Sequence, residues 1–146
     1  MQNKHKGFTL IELMVTIAIL AIIATLAAPS FTKIIRKNQL AHDTRDFVDL
    51  LSETRSEAIF KQNNFVMALD NSVTTFYKKW SPVYIQKESG DSSVTFNRLG
   101  QSGVAAPANG QCFVFKHNSD SSLKSYVYIQ KGGAVVYDKT ATSCPT

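Results

Sequence analysis

Charge is missing where a solvated helix would carry it. From Phe8 to Ala28 the chain runs 21 residues with Glu12 as its single charged side chain. The signatures of catalysis are missing too, with no Gly-x-Ser-x-Gly, Walker or dinucleotide motif anywhere. The histidines His5, His42 and His117 have no metal-ligand neighbour at a useful spacing, so each is expected to be a surface side chain. Asp91 and Asp120 lie among serines without the alternating acidic pattern of a calcium loop. No internal repeat is visible, and cysteine is limited to Cys112 and Cys144. These absences point away from an enzyme, a metalloprotein and a cofactor carrier.

What is present is a long apolar run. As a helix rising about 1.5 Å per residue, residues 8–28 would span roughly 31 Å, close to the ~30 Å of hydrocarbon in a bilayer. Lys4 and Lys6 precede the run and place its start on the cytoplasmic side, with everything after Pro29 outside the cytoplasm. Glu12 is the anomaly. A carboxylate at a helix centre in lipid costs about 2.5–3.5 kcal/mol, and less near the interface or in the first helical turn. It is either an interfacial acid or an acid paired with a cation inside an assembly. Were the chain cut between Gly7 and Phe8, the new α-amino group would lie one turn from Glu12. An ordinary signal peptide is the competing reading, but Ala27-Ala28-Pro29 is a poor cleavage site and the helical pattern continues beyond it.

Past Pro29, the residues Phe31, Ile34, Ile35, Leu40, Ala41, Phe47, Val48, Leu51, Ala58 and Ile59 recur mostly at three- and four-residue spacing among charged neighbours. Proline at 29 removes one backbone bond and bends a helix rather than ending it. The pattern therefore predicts one long helix from Phe8 to Lys61, stopped by Gln62-Asn63-Asn64.

The period then changes. Residues 65–69, 73–77, 83–85, 94–96, 112–115, 126–129 and 134–137 are short runs rich in β-branched and aromatic side chains, separated by turn-forming clusters. Lys131-Gly132-Gly133 reads as a hairpin loop. Residues 97–111, with three glycines and a proline, read as a long loop. The fold class expected is α+β, a long N-terminal helix packed on one or two antiparallel sheets. An exported domain lies in an oxidising compartment, so Cys112 and Cys144 are expected to pair. That would close a loop of about 33 residues, contributing roughly 3–4 kcal/mol.

Gly7-Phe8-Thr9-Leu10-Ile11-Glu12-Leu13 followed by an apolar run resembles the class III signal of type IV pilins and type II secretion pseudopilins. The resemblance implies a leader ending at Gly7, cleavage before Phe8 and methylation of its amine, with prepilin peptidase as a partner. It also implies that Glu12 neutralises an N-terminal amine during assembly, and that Pro29 loosens the helix. Leu51 to Ile59 followed by Val66-Met67-Ala68-Leu69, and Val94-Thr95-Phe96-Asn97 with Gly100, are similar to the GspH/FimT group of minor pilins, which includes FimU-like and FimT-like proteins. The implied organisation is a leader at 1–7, a transmembrane and assembly helix at 8–30, and a periplasmic pilin domain at 31–146. Implied partners are other minor and major pilins, the inner-membrane assembly platform and, before assembly, membrane lipid.

DNA needs separate weighing. The net charge of +5, which falls to +3 without Lys4 and Lys6, is weak evidence for a nucleic-acid face. Lys78-Lys79-Trp80 could pair cations with an aromatic surface for single strands, though such a cluster more often ends a strand with a partly buried Trp. Some FimT-like pilins receive DNA through a Gly-Arg-x-Arg run in the C-terminal hairpin. Here that stretch reads Gly132-Gly133-Ala134-Val135, and both arginines are missing. Lys124, Lys131 and Lys139 remain, a weaker, salt-sensitive set without bidentate contacts. The function expected is that of a minor type IV pilin priming pilus assembly; a type II secretion pseudopilin and a DNA-binding pilin are the alternatives.

Overall fold

The computed structural model describes residues 7–103 and 110–144, without the side chains of residues 26–29 and 103. The chain divides into two compact units, Met1–Ile35 and Arg36–Thr146. One helix, α1 (Leu10–Phe60), contributes to both.

In the N-terminal unit α1 starts from a cap encoded by Thr9. Its carbonyl accepts the first helical bond, from Leu13 N at 3.2 Å. Its hydroxyl accepts from Glu12 N at 3.3 Å, the N-cap to N3 bond that satisfies an otherwise orphaned donor. Thr16 and Thr25 turn their hydroxyls back onto the carbonyls of Leu13 and Ile22, at 2.8 and 2.7 Å. The apolar side chains between Leu10 and Ile23 are exposed in the isolated chain. Helical bonding runs on past Pro29, but the bend expected there falls on residues whose side chains are outside the described set. No single helix among the described residues is long and apolar enough to cross a membrane; Leu10–Thr25 and Ser30–Phe60 taken together are.

In the second unit α1 turns one stripe inward. Leu40, Thr44, Phe47, Leu51, Thr54 and Ala58 are all buried, at the alternating four- and three-residue steps of a helix with one core face. The hydroxyls of Thr44 and Thr54 bond back to Leu40 O and Leu50 O, both at 2.7 Å, so these two polar groups are buried without a penalty. The helix ends at Phe60, where Gln62 takes the left-handed conformation at φ 52°.

The strands are β1 (Phe65–Ala68), β2 (Lys78–Lys79), β3 (Ile85–Ser89), β4 (Ser93–Phe96), β5 (Ser102–Gly103), β6 (Gly110–His117), β7 (Asp120–Gln130) and β8 (Val135–Tyr137). They form two four-stranded sheets, ordered β2-β1-β4-β5 and β3-β6-β7-β8. Pairing is antiparallel except for β1 with β2. Both sheets and the helix share one core, with Met67, Val94 and Phe96 from the first sheet and Phe113, Phe115, Val127 and Ile129 from the second. Phe47 is its hub, with ring centroids 5.1 Å from Trp80, 5.5 Å from Phe113 and 4.8 Å from Phe115. The expected α+β fold, helix on antiparallel sheets, is therefore the fold observed.

Several local expectations need correction. Residues 73–77 are not a strand. The parallel pairing of β2 with β1 requires the chain to return to the same end first, and residues 69–77 make that crossing before Lys78 pairs with Met67. Val83 and Tyr84 are not in a strand either, because their N–H groups donate to the buried Asp43 carboxylate at 3.0 and 2.6 Å instead of to a ladder. β7 is much longer than the expected 126–129, since Lys124 and Ser125 pair with Lys116 and Phe115 of β6 and, past an irregularity in register, Asp120 pairs with His117. The 97–111 stretch is interrupted by β5 and ends where β6 begins at Gly110; residues 104–109 lie outside the described set. The hairpin at 131–133 stands as expected, closing between β7 and β8.

Candidate assembly site

Gly7 and Phe8 precede the first helical residue and lie in exposed, non-helical chain. A side chain placed at Gly7 would meet nothing within 4 Å. Phe8 is 82% exposed. Glu12 follows in the first turn, where Thr9 Oγ1 also donates weakly to its Oε2 at 3.5 Å. Thr9-x-x-Glu12 is thus a capping pair, a signal that was present in the sequence and passed over there. With Thr16 and Thr25 satisfied by their own helix, Glu12 is the single charged group between Leu10 and Thr25.

The expected bond between Cys112 and Cys144 is present, with Cα atoms 6.0 Å apart. It ties the chain's last described residue to β6.

The three lysines proposed for weak DNA contact do not form one patch. Lys124 Nζ lies 2.6 Å from Glu88 Oε2, and the pairing raises the lysine pKa and lowers that of the glutamate. Lys131 is in the hairpin turn, seven residues along an extended strand from Lys124, or about 23 Å. Lys139, after β8, lines one groove with Lys124, so Lys131 stands apart from the other two. The Lys78-Lys79-Trp80 cluster is also spoken for. Trp80 is 5% exposed and part of the core, Lys78 pairs with Glu53 at 2.7 Å, and Lys79 bonds Asn71.

Where FimT-like proteins would carry arginines, the hairpin instead receives one from the helix. Arg55 Nε donates to Gly100 O at 2.9 Å, and Nη2 to Gly132 O at 3.4 Å. Gly100 and Gly133 have φ +72° and +82°, and a Cβ on Gly133 would lie 1.8 Å from Gly100 O. Glycine at both positions lets the two loops meet over Arg55. Spacing could not have revealed this clamp, because its members are far apart in sequence.

The histidines divide. His42 is exposed, 3.5 Å from Asp46. Asp43 and Asp46 come within 4.8 Å of it, but Asp43 is already engaged by two backbone donors. His117, expected at the surface, is 4% exposed. Ser119 N donates to its Nδ1 at 3.1 Å, so the proton is on Nε2, which faces Gln39 Oε1 at 3.1 Å. It is a core histidine. His5 lies outside the described residues.

Comparison with known proteins bears on both units. Residues 2–28 match the prokaryotic N-terminal methylation motif. Over 37 residues the chain is 54% identical to fimbrial protein Q and to the type IV major alpha-pilin of Moraxella bovis, covering 25% of this chain and 24% and 23% of those proteins. The chain thus matches about a quarter of the length of these relatives. The structure is similar to crystal structures of the type IV minor pilin FimU of Pseudomonas aeruginosa strain PAO1. One superposes with a TM-score of 0.52 at 16% identity, covering 72% of this chain and 92% of that one, a likeness of fold. The chain thus joins an N-terminal methylation motif to a helix-and-sheet fold similar to that of FimU.

Proposed function

We propose that the chain is a minor type IV pilin, stored in the inner membrane and built into the pilus, where it helps to prime assembly. The observation that carries this reading is the N-terminal geometry. An exposed, non-helical Gly7–Phe8 bond stands directly before a helix of exposed apolar side chains with one carboxylate. In this reading residues 1–7 are the leader that prepilin peptidase removes, and Phe8 is the residue methylated. Residues 8–30 cross the membrane, and residues 31–146 form the periplasmic domain. The chain acts by assembly rather than turnover. Its partners are other minor and major pilins and the inner-membrane assembly platform, with membrane lipid around the helix beforehand.

Glu12 supplies registration. Leaving lipid for a bundle of apolar helices, the carboxylate would pair with the new α-amino group of a subunit. Charge pairing in a medium of low dielectric is strong, and an unpaired buried carboxylate costs several kcal/mol. Slipped registers are thereby penalised. Glu12→Ala should be cleaved normally yet enter pili poorly; normal incorporation would remove the pairing role. A deletion strain scored for surface pili, secreted protein and DNA uptake tests the wider reading. Loss of pili supports it, loss of secretion with intact pili assigns a type II secretion role, and loss of DNA uptake with intact pili assigns the DNA-binding role.

A further inference from the structure

One cationic surface of the second unit is left unexplained by the N-terminal chemistry. Lys37 and Arg45 on α1 and Lys139 after β8 line a groove of about 520 Å³ that also takes in Lys124 and His42. No carboxylate lines it among the described residues. Lys124 is bridged to Glu88 and His42 to Asp46, but Lys37, Arg45 and Lys139 form no ion pair among the described residues. Asp46 and Asp49 lie near Arg45 on the same helix, yet Arg45 bridges to neither. Its charge acts on Tyr137 instead, where burial raises the pKa of the hydroxyl and Arg45 opposes that rise. Three cations therefore line one groove without a bridged carboxylate.

The lining is apolar as well as basic, with Leu40, Ala41, Leu123 and the ring of Tyr137 among the cations. Lys37 and Arg45 are eight residues, about 12 Å, apart along α1, and their long side chains can reach one anion from its two ends. The volume exceeds a lone phosphate and leaves room for an apolar body beside the charge. Exposed apolar side chains also continue along α1 beyond Ala28, at Phe31, Ile34 and Ile35. Lys33, the one cation among them, has a stem long enough to snorkel. Ile35 is two residues before Lys37 in sequence. An apolar helix surface that gives way to clustered Lys and Arg is the pattern of a lipid boundary, where cations meet headgroups.

We propose that this groove binds the headgroup of an anionic phospholipid, its phosphate among Lys37, Arg45 and Lys139 and the start of its acyl chains on Leu40 and Leu123. The proposal rests on the membrane storage in the proposed function, and it adds a partner chemistry to that reading. Lipid then serves the chain twice, as solvent for the apolar helix and as a ligand of the second unit. Nucleic acid is the poorer occupant. A phosphate backbone needs cations along a track, and the neighbouring Lys116 and Lys124 are both turned to Glu88.

The test uses the full chain in mild detergent, titrated with short-chain phosphatidylglycerol or with phosphatidylcholine of the same chain length. Native mass spectrometry counts the lipids bound. Phosphatidylglycerol is expected to bind more tightly. Each cation beside an anionic headgroup contributes about fivefold in affinity. Arg45→Gln should therefore weaken phosphatidylglycerol about fivefold, and the double variant with Lys139→Gln about 25-fold, leaving phosphatidylcholine unchanged. Lys131→Gln, outside the groove, should change neither. Retained fluorescence of the buried Trp80 would show that the variants are folded. The proposal is overturned if the two lipids bind equally, or if Lys131→Gln weakens phosphatidylglycerol as much as Arg45→Gln does. It is equally overturned if inorganic phosphate displaces the lipid at equal concentration, which would mark a free-anion site. Tighter binding of a single-stranded oligonucleotide, lost with Arg45→Gln, would overturn it as well. Piliation of the deletion and Glu12→Ala strains is read independently, so lipid binding can fail while the assembly role stands.

Discussion

Asp43 gives the sharpest test of how the second unit is held together. It is 3% exposed, and its Oδ2 accepts from both Val83 N and Tyr84 N. These bonds fasten the segment between β2 and β3 to the helix, beside Trp80. A hydrogen bond to a charged group contributes about 1.5–3 kcal/mol. Val83 is 69% exposed, so water can replace the carboxylate there, and most of the loss should fall on Tyr84. Asp43→Ala should therefore cost about 2–4 kcal/mol, whereas Asp43→Asn, which can present its carbonyl oxygen to the same donors, should cost about 1 kcal/mol. With a urea slope of about 1–3 kcal/mol per molar, the alanine variant should lose roughly 1–2 M in midpoint. The chain's one tryptophan, Trp80, is in the core and reports unfolding by its own fluorescence. Equal destabilisation by Asn and Ala would refute the hydrogen-bond argument, because loss of the charge alone would then account for both. An alanine variant as stable as the parent would refute the fastening itself.

Neighbouring glycines should behave oppositely. Gly133→Ala puts a Cβ 1.8 Å from Gly100 O at positive φ, whereas Gly132→Ala meets nothing within 4 Å. The first should cost more than about 2 kcal/mol and the second less than about 0.5 in the same urea titration. Cys112→Ser should lower stability by up to about 3–4 kcal/mol and let the C-terminal tail exchange amide protons sooner. Asp70 is held at a pKa of about 2 by the Ser72 hydroxyl and N–H and by Lys87. A carboxylate depressed on folding contributes stability that is whole above its unfolded pKa of about 3.9 and is lost as pH falls from there towards 2. Asp70→Asn should flatten that part of an acid-unfolding curve; an unchanged slope would show that Asp70 is not linked to folding.

Local chemistry made the helix and the cores of the larger strands legible. The stripe Leu40, Phe47, Leu51 and Ala58 announces one buried helix face, and Lys131-Gly132-Gly133 announces a hairpin, since both depend on neighbours in sequence. The candidate site was legible for the same reason, because Gly7, Phe8 and Glu12 lie within one short stretch. Thr9 could have been added on the same grounds. Val73–Tyr77 and Val83–Tyr84 were misread because strand preference says nothing about partners. A parallel crossing claimed the first, and a carboxylate forty residues upstream claimed the second.

The sequence by itself determined that a long apolar helix with one acid near its start would precede an α+β domain, and that its two cysteines could pair. Periodicity, charge placement and compartment chemistry act along the chain and can be read there. Only the tertiary structure decided that His117 is buried, that Lys124 is held by Glu88, and that Arg55 takes over the hairpin where arginines are missing. Each of those outcomes depends on which groups the fold brings within 3 or 4 Å from distant parts of the chain. Hydrogen bonds and ion pairs of that range have no signature in spacing.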